Sequence, residues 1–247
     1  MKKQRIFLTV LSIIPVLTYA QTAAEILDKN IAALGGAPKI AAIKTLQYDQ
    51  VMRVMGTTMP GKVSVIVGQA YRNDMSLSVG KVTQVISGDK GWATSIRQGV
   101  SVPKKLTDTQ VNMLKGNVNM LGADLATVKQ NNYPVSLVGK ENLNGKEVFT
   151  LKVMRPEGEA NYYVDATTYL LSGMKTYVSN QDESDEVKVN LKGEMKMIYS
   201  DYQTFEGLKF PTSLSLDSPG IPDTVSLRIS NVVFNPTLTS SLFKMPN

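Results

Sequence analysis

Leu46-Gln47-Tyr48-Asp49-Gln50-Val51-Met52-Arg53-Val54, then Pro60-Gly61, then Lys62-Val63-Ser64-Val65-Ile66-Val67: this stretch decides the fold class. Leu46, Tyr48, Met52 and Val54 alternate with Gln47, Asp49 and Arg53, and Val63, Val65 and Val67 alternate with Lys62 and Ser64. A period of two puts every second side chain on one face of a strand. The Pro-Gly pair supplies the turn. The stretch therefore reads as antiparallel strands with one face buried.

The same pattern continues outward. Tyr71 to Ser78, Val82 to Ser87 and Trp92 to Ile96 are short strands separated by Gly80 and by Gly88-Asp89-Lys90-Gly91. Farther on, Val135 to Lys140 and Glu147 to Val153 flank Asn144-Gly145, a strong hairpin signal. Asn161 to Asp165, Leu170 to Tyr177, Val187 to Leu191, Glu194 to Tyr199, Phe210 to Leu216 and the alternation of Val225, Leu227 and Ile229 complete the series. Roughly ten to twelve strands result, against ~5–6 in an average sheet. A sheet of that width curls under its own twist. The expected class is mainly β: a single curled antiparallel sheet forming an unclosed barrel.

Two helical stretches punctuate it. Thr22-Ala23-Ala24-Glu25 is a capping box, followed by the apolar stripe Ile26, Leu27, Ile31 and Leu34 and stopped by Gly35-Gly36. Pro38 then opens a second short helix through Ile40 and Ile43. Thr107-Asp108-Thr109-Gln110 is another capping box, ahead of Val111, Met113, Leu114, Val118, Met120, Leu121 and Leu125. Gly116 and Gly122 loosen this stretch, so one or two short helices are expected around 107–128 as a lid or plug between the halves of the sheet.

The N-terminus carries Lys2, Lys3 and Arg5, an apolar run from Ile6 to Leu17, and the small-x-small site Thr18-Tyr19-Ala20. That is the build of a cleaved secretory signal, too short for a membrane span. The expected organisation is a signal over 1–20 and one domain over 21–247, exported and most simply periplasmic. Removing three of the 27 basic residues leaves 24 against 21 acidic, a net charge of +3. No basic run of the kind nucleic acid needs is present, and a monomer with no further membrane span is expected. The chain has no His and no Cys. That excludes His-dependent nucleophile systems, Cys or His zinc sites and disulfides. No cofactor, metal site or catalytic constellation is recognisable, so an enzyme is not expected.

Several pieces, taken in order, carry a resemblance: Ala24-Glu-Ile-Leu27 with Ala33-Leu-Gly-Gly36, Ser87-Gly-Asp-Lys-Gly-Trp92, Leu137-Val-Gly-Lys140 with Asn144-Gly-Lys-Glu147, Tyr162-Tyr-Val-Asp-Ala-Thr-Thr-Tyr-Leu170, Tyr199-Ser-Asp-Tyr202 with Gly207-Leu-Lys-Phe-Pro211, and Ser241-Leu-Phe-Lys244. The chain resembles the LolA/LolB-like superfamily of lipoprotein carriers, receptors and outer-membrane lipoprotein-sorting proteins. The resemblance implies an unclosed β-barrel with a helical lid and a hydrophobic cavity that takes acyl chains. Where the carriers have an Arg-Pro pair, this chain has Val67-Gly68. The expected function is binding of the acyl chains of a lipid or lipoprotein, with a carrier or sorting role. The alternative is an envelope protein- or peptide-binding sensor module without lipid carriage.

The residues expected to line the cavity are Met52, Val54, Val63, Val65, Val67 and Trp92 on the sheet, with Met113, Leu114, Val118 and Leu121 on the lid. Met suits such a role because its unbranched thioether repacks around varied ligands. The same stripes also fit a filled core. Trp92 fits either the cavity mouth or a cover over the end of the sheet. Asp182-Glu183-Ser184-Asp185-Glu186 reads as a solvated hairpin tip, without the spacing of a calcium loop. Asp165, Asp201 and Glu206 read as turn residues, and Arg53, Arg72 and Arg97 as outward charges on strands. Ser241-Leu-Phe is expected to pin the C-terminus to the barrel end.

Overall fold

The computed structural model describes residues 21–97, 100–156, 158–182 and 189–246. The expected export signal and the acidic tip at 183–186 lie outside the described residues. Thirteen strands form one sheet: β1 (Thr45–Val54), β2 (Thr57–Ile66), β3 (Ala70–Leu77), β4 (Gly80–Ser87), β5 (Lys90–Arg97), β6 (Val100–Lys105), β7 (Val135–Leu143), β8 (Lys146–Arg155), β9 (Gly158–Asp165), β10 (Leu171–Asp182), β11 (Val189–Phe205), β12 (Leu208–Asp217) and β13 (Val225–Phe234). Their spatial order is β6-β5-β4-β3-β2-β1-β13-β12-β11-β10-β9-β8-β7. The sheet is a curled, unclosed antiparallel barrel, as the alternation implied. Every neighbouring pair is a sequential hairpin except β1 with β13, which fastens two meanders into one sheet.

Among the described residues four α-helices accompany it: α1 (Ala23–Leu34), α2 (Ala37–Ala42), α3 (Asp108–Leu114) and α4 (Asp124–Gln130). Both capping boxes form. The Thr22 hydroxyl accepts from the Glu25 N–H and the Thr107 hydroxyl from the Gln110 N–H, with the reciprocal bonds also made. Gly35 ends α1 at φ 126°, and its Cβ would stand 2.6 Å from the Gly207 carbonyl oxygen, so only glycine fits there. The Asn144-Gly145 turn takes φ of 52° and 84°, the left-handed pair a two-residue hairpin loop requires.

Two stretches depart from the sequence expectation. Val100–Lys105 is an additional edge strand; its Val-Ser-Val-Pro-Lys-Lys run is short, mostly exposed and interrupted by Pro103, all features of an edge. The segments expected as separate strands, over their described residues 189–191 and 194–199, are parts of the 17-residue β11. Asp201 takes φ 52° within that strand, yet the register with β12 is unbroken, Ser200 facing Ser213 and Tyr202 facing Pro211, so the two segments run on as one strand.

The core lies on the inner face. α1 contributes Ile26, Leu27 and Leu34, the helical connector contributes Val111, Met120, Leu125 and Val128, and both wings of the sheet contribute Leu46, Val63, Val65, Leu151, Tyr162, Val164 and Phe210. Phe210 sits among Tyr48, Phe205 and Phe234, with ring centroids 5.8 to 6.4 Å apart in tilted or edge arrangements.

Candidate functional site

Strand register sorts the inner face into rows. The row nearest α2 reads Leu46, Val65, Tyr71, Ile86 and the next Tyr48, Val63, Asn73, Gln84. Leu46, Val63, Val65 and Ile86 are fully buried. A polar step follows: Gln50 and Asn73, each 4 % exposed, are joined by a bond from Gln50 Nε2 to Asn73 Oδ1 of 3.0 Å. Above it the wall becomes apolar again but only half-buried. Met75 pairs with Val82 across β3 and β4, Met52 pairs with Met59 on β2 and with Leu227 on β13, and Val54 lies one step farther out. None of Met52, Val54, Met59, Met75 or Val82 packs into the main core. The inner face is thus a filled base below a methionine-rich strip.

The expected sheet residues divide along that line. Val63 and Val65 are core, and Val67, just past β2, packs against it. Met52 and Val54 stand in the half-buried strip. Met59, Met75 and Val82 belong with them; their signal was the same alternation in the neighbouring strands.

The connector between β6 and β7 crosses the inner face. α3 touches β5 on one wing and β10 on the other, and the 3-10 turn Lys115–Val118 touches β2 and β3. The Gly68 N–H donates to the Val118 carbonyl at 2.8 Å. Leu114, Val118 and Leu121 are half-buried against the core, whereas Met113 is turned outward, 37 % exposed. Gly116 has open space around it. Gly122 does not loosen the connector as the sequence suggested. It takes φ 78°, and a Cβ there would lie 2.8 Å from Pro211 Cδ, so it lets the connector approach the sheet closely.

Beside Gly122 is a polar cluster that no sequence pattern announced. Asp124 opens α4 with its carboxylate near the Tyr199 hydroxyl and the backbone N–H groups of Asp124 and Gly122, and its buried Oδ2, like Arg155 Nε, has no hydrogen-bond partner among the described residues. Burial pushes its carboxyl above the usual range against the pull of these donors and of the nearby Arg155 charge. Arg155 Nη1 donates to the Tyr162 hydroxyl at 3.1 Å, and the Tyr202 hydroxyl donates to the Leu171 carbonyl at 2.9 Å. Burial, with Asp124 nearby, raises the phenols of Tyr199 and Tyr202 far above the ordinary value. The cluster ties α4 to β8, β9 and β11. Asp124 and Arg155 are distant in sequence, and only the curl of the sheet brings them together.

Trp92 is displaced from the expected set. It pairs with Val85, whose side chain points to the outer face, and the two pack with Ala70 and Phe243 in a second, separate cluster. Its indole Nε1 donates to the Phe243 carbonyl at 3.1 Å. The reason is parity: Gly91, opposite Ile86, takes the inner position on β5, and a Cβ there would meet Leu106 Cδ1 at 2.9 Å. The C-terminal turn Ser240–Phe243 is accordingly pinned to the outer face of β3 and β4 and not to a barrel end. Arg72 reinforces it, with a bidentate bond to Asp74 at 2.6 and 2.8 Å and one to the Leu242 carbonyl at 2.6 Å.

Asp165 accepts from the N–H groups of Thr167 and Thr168, the turn role expected of it. Asp201 pairs with Arg228 at 2.6 Å. Among the described residues no group of three or more acidic side chains is placed to hold a metal, and no helix is long and apolar enough to cross a membrane. Two cavities open on the outside of the molecule. One, of ≈ 400 Å³, lies among Gly193, Asp217, Pro219 and Asp223, and the other, of ≈ 520 Å³, among Val51, Arg53, Ser213 and Arg228.

No protein-family model matches the sequence, and no curated protein does. Solved structures do. A LolA superfamily protein from Nitrosomonas europaea aligns over 92% of this chain and 99% of its own, at 14% identity and a TM-score of 0.56. An outer membrane lipoprotein-sorting protein domain from Vibrio parahaemolyticus aligns over 89% and 94%, at 12% identity and a TM-score of 0.57. A DUF1329 family protein from Desulfovibrio piger aligns over 90% and 96%, at 14% identity and a TM-score of 0.57. Identities this low speak to architecture alone: thirteen antiparallel strands curled about a helical connector give this chain the fold of the LolA superfamily.

Proposed function

We propose that the protein is an exported, non-catalytic binder of acyl chains, with a lipid or lipoprotein as the natural cargo. The observation that carries this reading is the half-buried strip of Met52, Val54, Met59, Met75 and Val82 on the inner face, outside the packed core. The similarity in fold to a lipoprotein-sorting domain supports it. In this reading an acyl chain lies along the strip and reaches the filled base below it where α3, packed on that base, lifts away.

The magnitudes favour that exchange. Lifting α3 exposes Val111, which is 2 % exposed, and frees the half-buried Leu114. Fully burying a side chain of this size is worth ~1.5–3 kcal/mol, so the cost is about 3–6 kcal/mol. Each methylene taken out of water returns about 0.8 kcal/mol, so chains beyond about eight carbons outweigh the displaced contacts.

The test is native mass spectrometry of residues 21–247 exported in a Gram-negative host, with organic extraction of anything bound, followed by titration with a fluorescent fatty acid. A stoichiometric acyl lipid, or saturable uptake, is the expected result. Replacing Leu114 and Leu121 with Asp abolishes that uptake while β-type circular dichroism persists. A clean apo mass with no uptake overturns the reading and turns the search to an envelope protein or peptide partner.

A further inference from the structure

On the outer face, two cross-strand rows run side by side in register. In the first, Ser200 on β11 faces Ser213 on β12, Ser213 faces Arg228 on β13, and Arg228 faces Val51 on β1. In the second, Ser215 faces Ser226, and Ser226 faces Arg53. Residues two apart on a strand share a face, and these rows line the groove of ≈ 520 Å³. Short serines form its floor and the two arginines its rim.

Packing does not account for this composition. Ser contributes little to the middle of a strand, where β-branched and aromatic residues fit the pleat better. Among the described residues, the hydroxyls of Ser200, Ser213, Ser215 and Ser226 have no side-chain hydrogen bond and Arg53 has no ion pair. Arg228 donates one bond to Asp201, at 2.6 Å. A guanidinium has five donors, so Asp201 orients Arg228 and leaves most of its N–H groups for another acceptor. Two guanidinium forks over a floor of hydroxyl donors match a tetrahedral oxyanion, to which arginine donates in a planar, bidentate way.

We propose that this groove binds a phosphate-bearing ligand, with Arg53 and Arg228 pairing its charge and Ser213, Ser215 and Ser226 donating hydroxyl hydrogen bonds. The site is on the opposite side of the sheet from Met52 and Met75 and does not depend on the acyl-binding reading. Its ligand is a soluble phosphomonoester or the phosphate of a lipid headgroup.

Backbone amide shifts of the full chain, followed by NMR at low ionic strength during titration with inorganic phosphate and with glycerol 3-phosphate, test the proposal. A parallel flotation assay uses vesicles of phosphatidylglycerol or of phosphatidylcholine. Saturable shifts at Ser213, Ser215, Ser226 and Arg53 identify a soluble phosphomonoester. Flotation with phosphatidylglycerol vesicles alone identifies a headgroup. In either case the Arg53→Gln/Arg228→Gln variant weakens binding at least about tenfold, the scale of one charge-assisted bond. Ser213→Val/Ser215→Val, which fills the floor with better strand formers, abolishes it. Acyl uptake is unchanged in both. Absence of any saturable shift or flotation, or equal affinity in wild type and both variants, overturns the proposal.

Discussion

At Gly122 the connector meets the sheet with no room for a side chain: Pro211 Cδ would be 2.8 Å from a Cβ, and φ is 78°. Gly122→Ala combines left-handed backbone strain with a clash and is expected to destabilise the fold by about 2 kcal/mol. Thermal melts check this, with Gly116→Ala, where space is open, as the neutral control. Asp124 makes a prediction with a sign. Its folded-state pKa is raised, so the stability it contributes is fully present below the ordinary carboxylate value of ~3.9 and is lost as pH rises through the raised value. At Asp74 burial also opposes the charge, but bonds from Arg72 and Thr83 outweigh it and hold the carboxyl low. Its contribution is therefore present above the ordinary value and lost as pH falls. Urea titrations from about pH 4 to 7 are expected to show a decline in wild type that Asp124→Asn flattens and Asp74→Asn does not. At this scale the sequence was a partial guide. It marked Met52 and Val54 by alternation, but nothing near Asp124 points to Arg155 or Tyr199, because that meeting is made by the sheet and not by spacing along the chain.

Elements were far more legible than their faces. Capping boxes at Thr22 and Thr107 and the Asn144-Gly145 turn are local chemistry, and each formed as its residues dictate. Which face a strand residue takes depends on parity counted from its partners. Trp92 illustrates the consequence: one position along β5 separates the inner row from the cluster around Phe243. Val100–Lys105 escaped notice because an exposed edge strand has no apolar stripe to reveal it. The outer cluster yields a clean element-scale prediction, since Trp92 is the single tryptophan. Phe243→Ala removes its neighbour and frees the C-terminal turn. A red shift of tryptophan emission and a loss of about 3 kcal/mol in urea unfolding are expected, with little change in β-type circular dichroism. An unshifted emission maximum would mean that the turn does not cover the indole.

For the molecule as a whole, β1 with β13 is the pairing that matters most. It joins residues about 180 apart in the chain, whereas the other strand pairs close through turns or short connections, β6 and β7 being the two free edges. Among the described residues the two meanders share no other strand pairing, so their cooperativity rests on this seam and on the core that both wings line. Ile229→Ala, 7 % exposed on β13, is expected to destabilise the protein by about 3 kcal/mol. Because the seam is common to both wings, tryptophan fluorescence, which reports one meander, and far-UV circular dichroism, which reports both, should shift together; separate midpoints would show the wings unfolding independently. The curled sheet was visible in advance because strand number alone forces curvature. The balance between filled base and half-buried strip was not, since both are written in the same apolar residues.

The two free edges are tethered to each other by the same connector that crosses the inner face. Its seven-residue helix α3 stores length. Unwinding it from about 1.5 Å to about 3.3 Å per residue releases about 13 Å of slack, more than two strand spacings of ~4.8 Å. The widest gape of the half-barrel is therefore set by how much of this tether uncoils, and a mutation that stiffens α3 should act as a mechanical stop on how far the two edges part while leaving every wall residue untouched.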